Sequence, residues 1–422
     1  ELHPRTRVFR PGASHLRCAA PRHEPSLAAA SDGLAQRYAR ADAGYLAALR
    51  EHHAGMPVMI TEFGVPSSVG LAHHGPLGRD QGGHTEQEAM RIDADLLRII
   101  HAQGFAGGFV FEWADEWFKF TWNTIDCELP PDRRQLWRNP WTNEEHFGLV
   151  AMEPGEDAAV TVDGVDAEWR TNGSQVIRES RGAVREVRAV KDEAYLYLRL
   201  VLDDPGSWRR HPVTLGFDVL PGTSGGLPGL AGRYPQADYT VVLGPGADGR
   251  ALVRASNDQY VILYGKARGY FEYEAAALRE GSGAWDLQRL ITNRPLTVPS
   301  TGERLPVESV PVGDLRFGTS DPDDPAFDSR VTWAAGDVLE VRLPWQMIGF
   351  SDPSSRLALA VRPDGALATV AVPRIGIAVA AGRSLSVTRG YSWDPWQHAT
   401  WHERPKAGRE AFAEAVRDVQ AE

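Results

Sequence analysis

The sequence predicts an α/β segment followed by an all-β segment, and three observations carry that reading. Two short apolar runs, Val58 to Phe63 and Phe105 to Trp113, each follow an amphipathic stretch closed by a glycine. That is the order helix, strand, helix, strand of a parallel sheet with right-handed crossovers. From Ala158 onward the chain becomes a series of short alternating or buried runs separated by turn residues, the texture of antiparallel sheets packed face to face. Between the two parts lies Glu153-Pro154-Gly155-Glu156-Asp157, a linker by composition.

Residues 1–30 hold five Arg, four Pro and three His with no period of 2 or 3.6. They are expected to be an irregular leader, either disordered or an artefact of sequence. Leu34 to His53 then places apolar residues at 34, 38, 41, 45, 46 and 49, a helical stripe closed by Gly55 as a left-handed cap. In Met56 to Phe63, Val58 and Ile60 alternate with Met59 and Thr61 over a run too short for a helix, so a strand buried on both faces is expected, ended by Gly64. Glu62 stands at its C-terminal end. The long loop 64–84 leaves that end, and Arg79 and Asp80 are its candidates for holding the loop down or contacting substrate. His73, His74 and His84 are spaced too irregularly for a metal site. Thr85-Glu86-Gln87-Glu88 is a capping box opening a helix to about His101, with Met90, Leu96, Leu97 and Ile100 inward and Gly104 behind. Phe105 to Trp113 is the second buried strand, and in parallel sheets chemistry sits at strand C-termini.

Just past that strand, Glu112, Asp115 and Glu116 alternate with Trp113 and Trp117. Carboxylates that accept paired hydroxyl hydrogen bonds, beside indole faces that stack on a ring, suit a sugar cleft. The alternative for each residue is packing: Glu112 paired with an arginine, Trp117 under a loop. Val58-Met59-Ile60-Thr61-Glu62-Phe63-Gly64 followed by Phe109-Val110-Phe111-Glu112-Trp113 resembles the last two strands of a clan A retaining glycoside hydrolase, a (β/α)8 barrel. The resemblance covers residues 34–150. It implies that Glu62 is the nucleophile and that Trp113 is the strand-eight aromatic of the sugar subsite; Glu112, Glu116, Trp117 and Arg79 are the substrate-contact candidates that the residues themselves offer. It also implies a cis peptide after the strand-eight tryptophan, at Trp113–Ala114, and an eighth helix, of which Thr142 to His146 would be a shortened form. The clan's acid/base follows an Asn at the end of strand four, and no Asn-Glu precedes Glu62 here. The first part is therefore expected to be an incomplete (β/α)8 barrel fragment over 31–152, with open sheet edges and the N-terminal part of the barrel missing.

Residues 158–404 are expected to form an antiparallel β-sandwich, with strands at Val160 to Gly164, Val184 to Val190, Ala194 to Val201, Val213 to Val219, Asp238 to Leu243, Ala251 to Arg254, Tyr260 to Tyr264, Val338 to Leu343, Leu357 to Val361 and Ser384 to Arg389. Val162-Asp163-Gly164 with Glu168-Trp169, Tyr195-Leu196-Tyr197-Leu198, and Leu339 to Trp345 with Gly349-Phe350 resemble a family-nine-like carbohydrate-binding module of the DOMON-related type. Trp169 and Trp345 read as packing. The aromatic stretch Tyr391 to Trp401 should pack back, and 405–422 should end in a helix carrying Phe412 and Val416.

Net charge of −11 and a pI near 5.7 leave no basic stripe to neutralise phosphates, which argues against nucleic acid or an anionic membrane as partner. No apolar run reaches the roughly 18 residues a membrane helix needs. Thirteen Trp and eleven Tyr suit stacking on sugar rings, and an oligo- or polysaccharide substrate is the partner expected, in a secreted or cell-surface setting. No cofactor is expected. Cys18 and Cys127 are too few for a disulfide framework or a four-ligand zinc site, though one bridge between them stays open. Two readings compete with a glycosidase: a non-catalytic sugar-binding protein, and a surface protein whose sandwich binds another protein.

Overall fold

Whether a polar backbone folds as helix or strand depends on where its hydrogen bonds go, and the computed structural model answers this for residues 43–75, 78–222, 226–230, 236–362 and 365–421. The leader, Cys18 and the first part of the 34–53 helix lie outside the described residues. The described chain divides into two compact units. One is β-rich and contains Trp117–Thr142 and Glu153–His402; the other contains residues 43–116, Asn143–Met152 and 403–421.

In the second unit, helix α1 (43–52) runs to a turn in which Gly55 takes φ +84. Strand β1 (Ile60–Phe63) pairs in parallel with β2 (Gly108–Val110), with Ile60 opposite Gly108 and Phe63 opposite Val110. Helix α2 (Glu86–Ala102) connects them. Its Thr85 accepts from the Glu88 amide while the Glu88 carboxylate accepts from the Thr85 amide, so the capping box is formed. Helix α3 (Arg409–Ala421) packs Phe412 and Ala415 against Ala94, with Phe63, Leu97, Val110, Leu149 and Val416 around them. The eighth helix expected at Thr142 to His146 is only a 3-10 turn, Asn143–His146. The helical cover of β1 and β2 comes instead from α2 and from α3, beyond the β-rich segment.

Both strands are shorter than expected, and β1 is not buried on both faces. Phe63 and Val110 turn to the helices, whereas Met59 is 48% and Phe109 57% exposed and Glu62 is exposed. Parallel strands are normally covered on both sides. Among the described residues this sheet has two strands and does not close into a barrel.

The β-rich unit holds two six-stranded sheets. One runs Trp285–Leu287, Gly249–Arg254, Tyr239–Leu243, Val213–Asp218, Gly376–Ala381, Ser384–Val387; the other runs Arg316–Phe317, Val331–Ala335, Leu339–Pro344, Tyr195–Leu202, Val184–Lys191, Gln175–Glu179. All neighbours are antiparallel except Arg316–Phe317 with Val331–Ala335. Leu196, Leu198, Leu200, Leu215, Phe217 and Val379 are fully buried, the rows that sheets stacked face to face supply.

Two expected strands are absent, each for a polar reason. At Val160 to Gly164 the backbone does not pair in a ladder: the Asp163 and Gly164 amides donate to Glu340 Oε2 at 3.0 and 2.7 Å, and the Trp169 indole donates to the same carboxyl. At Tyr260 to Tyr264 the chain forms a π-helix, Val261–Ala267. Asp258 Oδ1 takes the Tyr260 amide at 2.9 Å, and Tyr260 stacks on Phe271 at 4.9 Å. Trp169 and Trp345 are buried among other side chains, Trp345 edge-on to Phe350 at 5.3 Å and tilted against Trp393 at 4.8 Å.

Trp117–Thr142 belongs with the β-rich unit because its polar groups are satisfied there. Asn123 donates to the Ile291 carbonyl at 2.8 Å, Arg133 to Asp352 at 2.9 Å and Asn139 to Gln346 at 2.6 Å. Cys127 is a buried free thiol, and burial pushes it well above its usual range. No helix among the described residues is long and apolar enough to cross a membrane.

Candidate functional site

The C-terminal ends of β1 and β2 lie side by side. Pairing runs on past the strands, because the Phe111 amide donates to the Phe63 carbonyl at 2.8 Å. Gly64, at φ +150, packs so closely that a β-carbon there would stand 2.5 Å from the Phe111 carbonyl oxygen. Only glycine permits this approach.

Glu62 is exposed at this end, and its carboxylate makes no hydrogen bond or ion pair among the described residues. Glu112 and Glu116 are half-buried on the segment after β2, and Trp113 is 74% exposed. That segment is held by a second chain stretch. The Glu112 amide donates to the Phe147 carbonyl at 3.2 Å, Leu149 to Glu112 at 3.0 Å, Val150 to Trp113 at 3.0 Å, Asp115 to Val150 at 3.0 Å and Glu116 to Glu145 at 3.2 Å. Phe111 meets Phe147 edge-on at 5.2 Å. The cis peptide expected at Trp113–Ala114 lies two bonds earlier, at Phe111–Glu112.

The described residues of the loop 64–84 pair with one another as a hairpin. The Ala72 amide donates to Gln81, Gln81 to His73 and Gly83 to Gly70, all at 2.9 Å. Asp80 holds it closed through the Gly75 amide at 2.9 Å and a 3.4 Å contact with His74. Arg79 is half-buried on this hairpin. Trp117 is not part of the cluster: it belongs to the β-rich unit, where it is buried edge-on to Trp401 at 6.3 Å. Its burial there removes the face a sugar would need.

Beneath the site lie residues that the sequence reading did not single out. Asp93, fully buried on α2, accepts from the Val65 amide at 2.9 Å, just past the end of β1. Burial pushes its pKa up to about 8 despite that hydrogen bond and the nearby Lys406. Lys406, also buried, donates to Asp115 Oδ1 at 2.7 Å and to the His146 carbonyl at 2.8 Å. Asp115 in turn takes the Gly148 amide at 3.0 Å. Asp93 had a sequence signal, a charge on the inward stripe of Met90 and Leu97; Lys406 stands 291 positions from its partner and had none.

The arrangement offers an exposed carboxylate at the end of β1 and, on the segment that follows β2, two half-buried glutamates and an exposed indole, all at one end of a parallel strand pair. Among the described residues no group of three or more His, Cys, Asp or Glu side chains is placed to hold a metal ion. Comparison with protein-family models, curated proteins and solved structures returns no match to this chain.

Proposed function

We propose that the α/β unit is the strand-seven and strand-eight end of a (β/α)8 retaining glycoside hydrolase, with Glu62 as nucleophile, and that the β-rich unit is an appended carbohydrate-binding-like domain. The observation that carries this reading is the parallel pairing of β1 and β2, which sets the exposed Glu62 beside the segment bearing Glu112, Trp113 and Glu116. In the proposed reaction Glu62 attacks the anomeric carbon and forms a glycosyl-enzyme. A second carboxyl, about 5 to 5.5 Å away in retaining enzymes, protonates the leaving oxygen and then activates water. In the clan that carboxyl follows an Asn at the end of strand four, and no Asn-Glu precedes Glu62 here; Glu112 and Glu116 on the neighbouring strand end would serve only against that pattern. Trp113 supplies a flat apolar face for the sugar ring.

Hydrolysis of a panel of aryl glycosides tests this, comparing wild type with Glu62→Gln, Glu112→Gln and Glu116→Gln. Loss of a nucleophile lowers turnover by orders of magnitude, about 10⁴-fold or more for a group at the centre of the chemistry. Turnover by wild type that Glu62→Gln leaves unchanged refutes the assignment. A second reading, a non-catalytic sugar-binding protein, is favoured by the 74% exposure of Trp113. No turnover by wild type, with oligosaccharide binding that Trp113→Ala abolishes, selects it.

A further inference from the structure

The segment that follows the β-rich unit returns to the candidate site and ends in a buried ammonium. Arg404 makes two bonds to Glu86, at 2.9 and 2.6 Å, and the Ala407 amide donates to the same carboxylate at 2.8 Å. Gly408, at φ +85, sits so close to α2 that a β-carbon would be 2.9 Å from the Gln87 Cα. Between these anchors the Lys406 amide donates to the Leu149 carbonyl at 3.1 Å, and its side chain, 1% exposed, reaches Asp115 and the His146 carbonyl. Asp93, which holds the backbone just past β1, is the second buried carboxyl within reach of that charge.

We infer that Lys406 is a positioning residue for the candidate site, its ammonium fixing the Glu112–Glu116 segment against Asn143–Val150 and so setting where Glu112, Trp113 and Glu116 stand relative to Glu62. The inference rests on reading the strand ends as the functional site. An ammonium with two directed acceptors in a dry pocket holds both in one geometry, and breaking such a pair by removing one partner leaves an uncompensated buried charge. Asp115 sits at the centre of the segment, with Trp113 two residues before it and Glu116 next to it. Pinning Asp115 therefore restrains the backbone that carries its neighbours.

Hydrogen–deuterium exchange on the full chain tests the clamp, with Lys406→Met, Lys406→Arg and the double variant Lys406→Met/Asp115→Asn. In Lys406→Met, exchange across 112–116 and 145–150 accelerates about tenfold or more while Tyr195–Leu202 keeps its protection, and Lys406→Arg recovers most of the difference. If Lys406→Met unfolds the unit altogether, the double variant decides, because it removes the stranded charge as well as the clamp. Local loosening in a folded double variant supports the inference, and wild-type protection there overturns it. Unchanged exchange in Lys406→Met, or equal loosening in Lys406→Met and Lys406→Arg, also overturns it. Where wild type hydrolyses aryl glycosides, Lys406→Met lowers kcat with KM little changed, and an unchanged kcat counts against positioning. Absence of turnover by wild type sinks the hydrolase reading alone, since exchange still reports on the clamp.

Discussion

Replacing Phe412 by alanine should unfold the α/β unit selectively, although Phe412 is separated from β1 by the whole β-rich segment. The ring is 9% exposed and packs with Ala94 and Ala415, ringed by Phe63, Leu97 and Val110. Truncating a buried phenylalanine costs about 3 to 5 kcal/mol in transfer and cavity terms. The ring packs inward between α2, α3 and the strand side chains, and about 3 kcal/mol, the lower end, is taken as the minimum cost of its loss. For a unit of about 60 to 100 residues each kcal/mol moves the midpoint by about 4 to 8 °C, so the unit should melt about 12 to 24 °C lower. Calorimetry with hydrogen exchange at intermediate temperatures separates the units: α2 and β1 lose protection early while Leu339–Pro344 does not. Val387→Ala, on the β-rich unit and 49% exposed, is the control and should change nothing. Equal loss of protection in both units, or none in α2, would refute the assignment of α3 as structural cover for β1 and β2.

Three further outcomes follow from buried and exposed groups elsewhere in the chain. Burial pushes Asp93 up to about 8 and Glu340 up to about 7; for such raised carboxyls the stability is complete below the unfolded values of 3.8 and 4.5 and declines as pH rises through 7 and 8. Urea midpoints should therefore be lower at pH 8.5 than at pH 5, and an increase would contradict the burial of these groups without a cation that outweighs it. Trp345→Ala, at a fully buried indole that donates to the Asp192 carbonyl at 3.2 Å, should cost about 3 to 5 kcal/mol. Trp113→Ala should leave thermal stability within about 0.5 kcal/mol. Thermal melts of the two variants side by side check both.

Local signals were legible in the sequence, and long-range ones were not. The capping box at Thr85 and Glu88 fixed the start of α2, and strands such as Tyr195–Leu202 and Leu339–Pro344 fell within a residue or two of their places because short apolar runs bounded by turn residues are local signals. The strand expected at Val160 to Gly164 failed for a non-local reason: its amides are taken by Glu340, about 177 positions away in chain order. Tyr260 to Tyr264 failed for the opposite reason, a local carboxylate at Asp258 that starts a helical turn in an apolar run readable either way. In the site, Glu62 and the Glu112–Glu116 segment were legible as charges ending apolar runs. Trp117 looked identical to Trp113 in sequence, yet one indole is buried and the other 74% exposed, and nothing within a few residues distinguishes them.

Under the proposed function, the two faces of the β1 and β2 pair divide folding from the site. Phe63 and Val110 pack against the helices, while Glu62 and Phe109 are exposed. An isolated pair of strands is marginal in water, and here its stability is drawn from the helix side, from α2, α3 and the Arg404–Gly408 anchors. The opposite face contributes little to that core, as the exposure of Phe109 indicates. A carboxylate on that face can thus be exchanged for its amide at small cost to folding. Loss of activity or binding in Glu62→Gln would consequently report on the site itself, whereas the same loss in a Phe63 variant would report on the core that holds it.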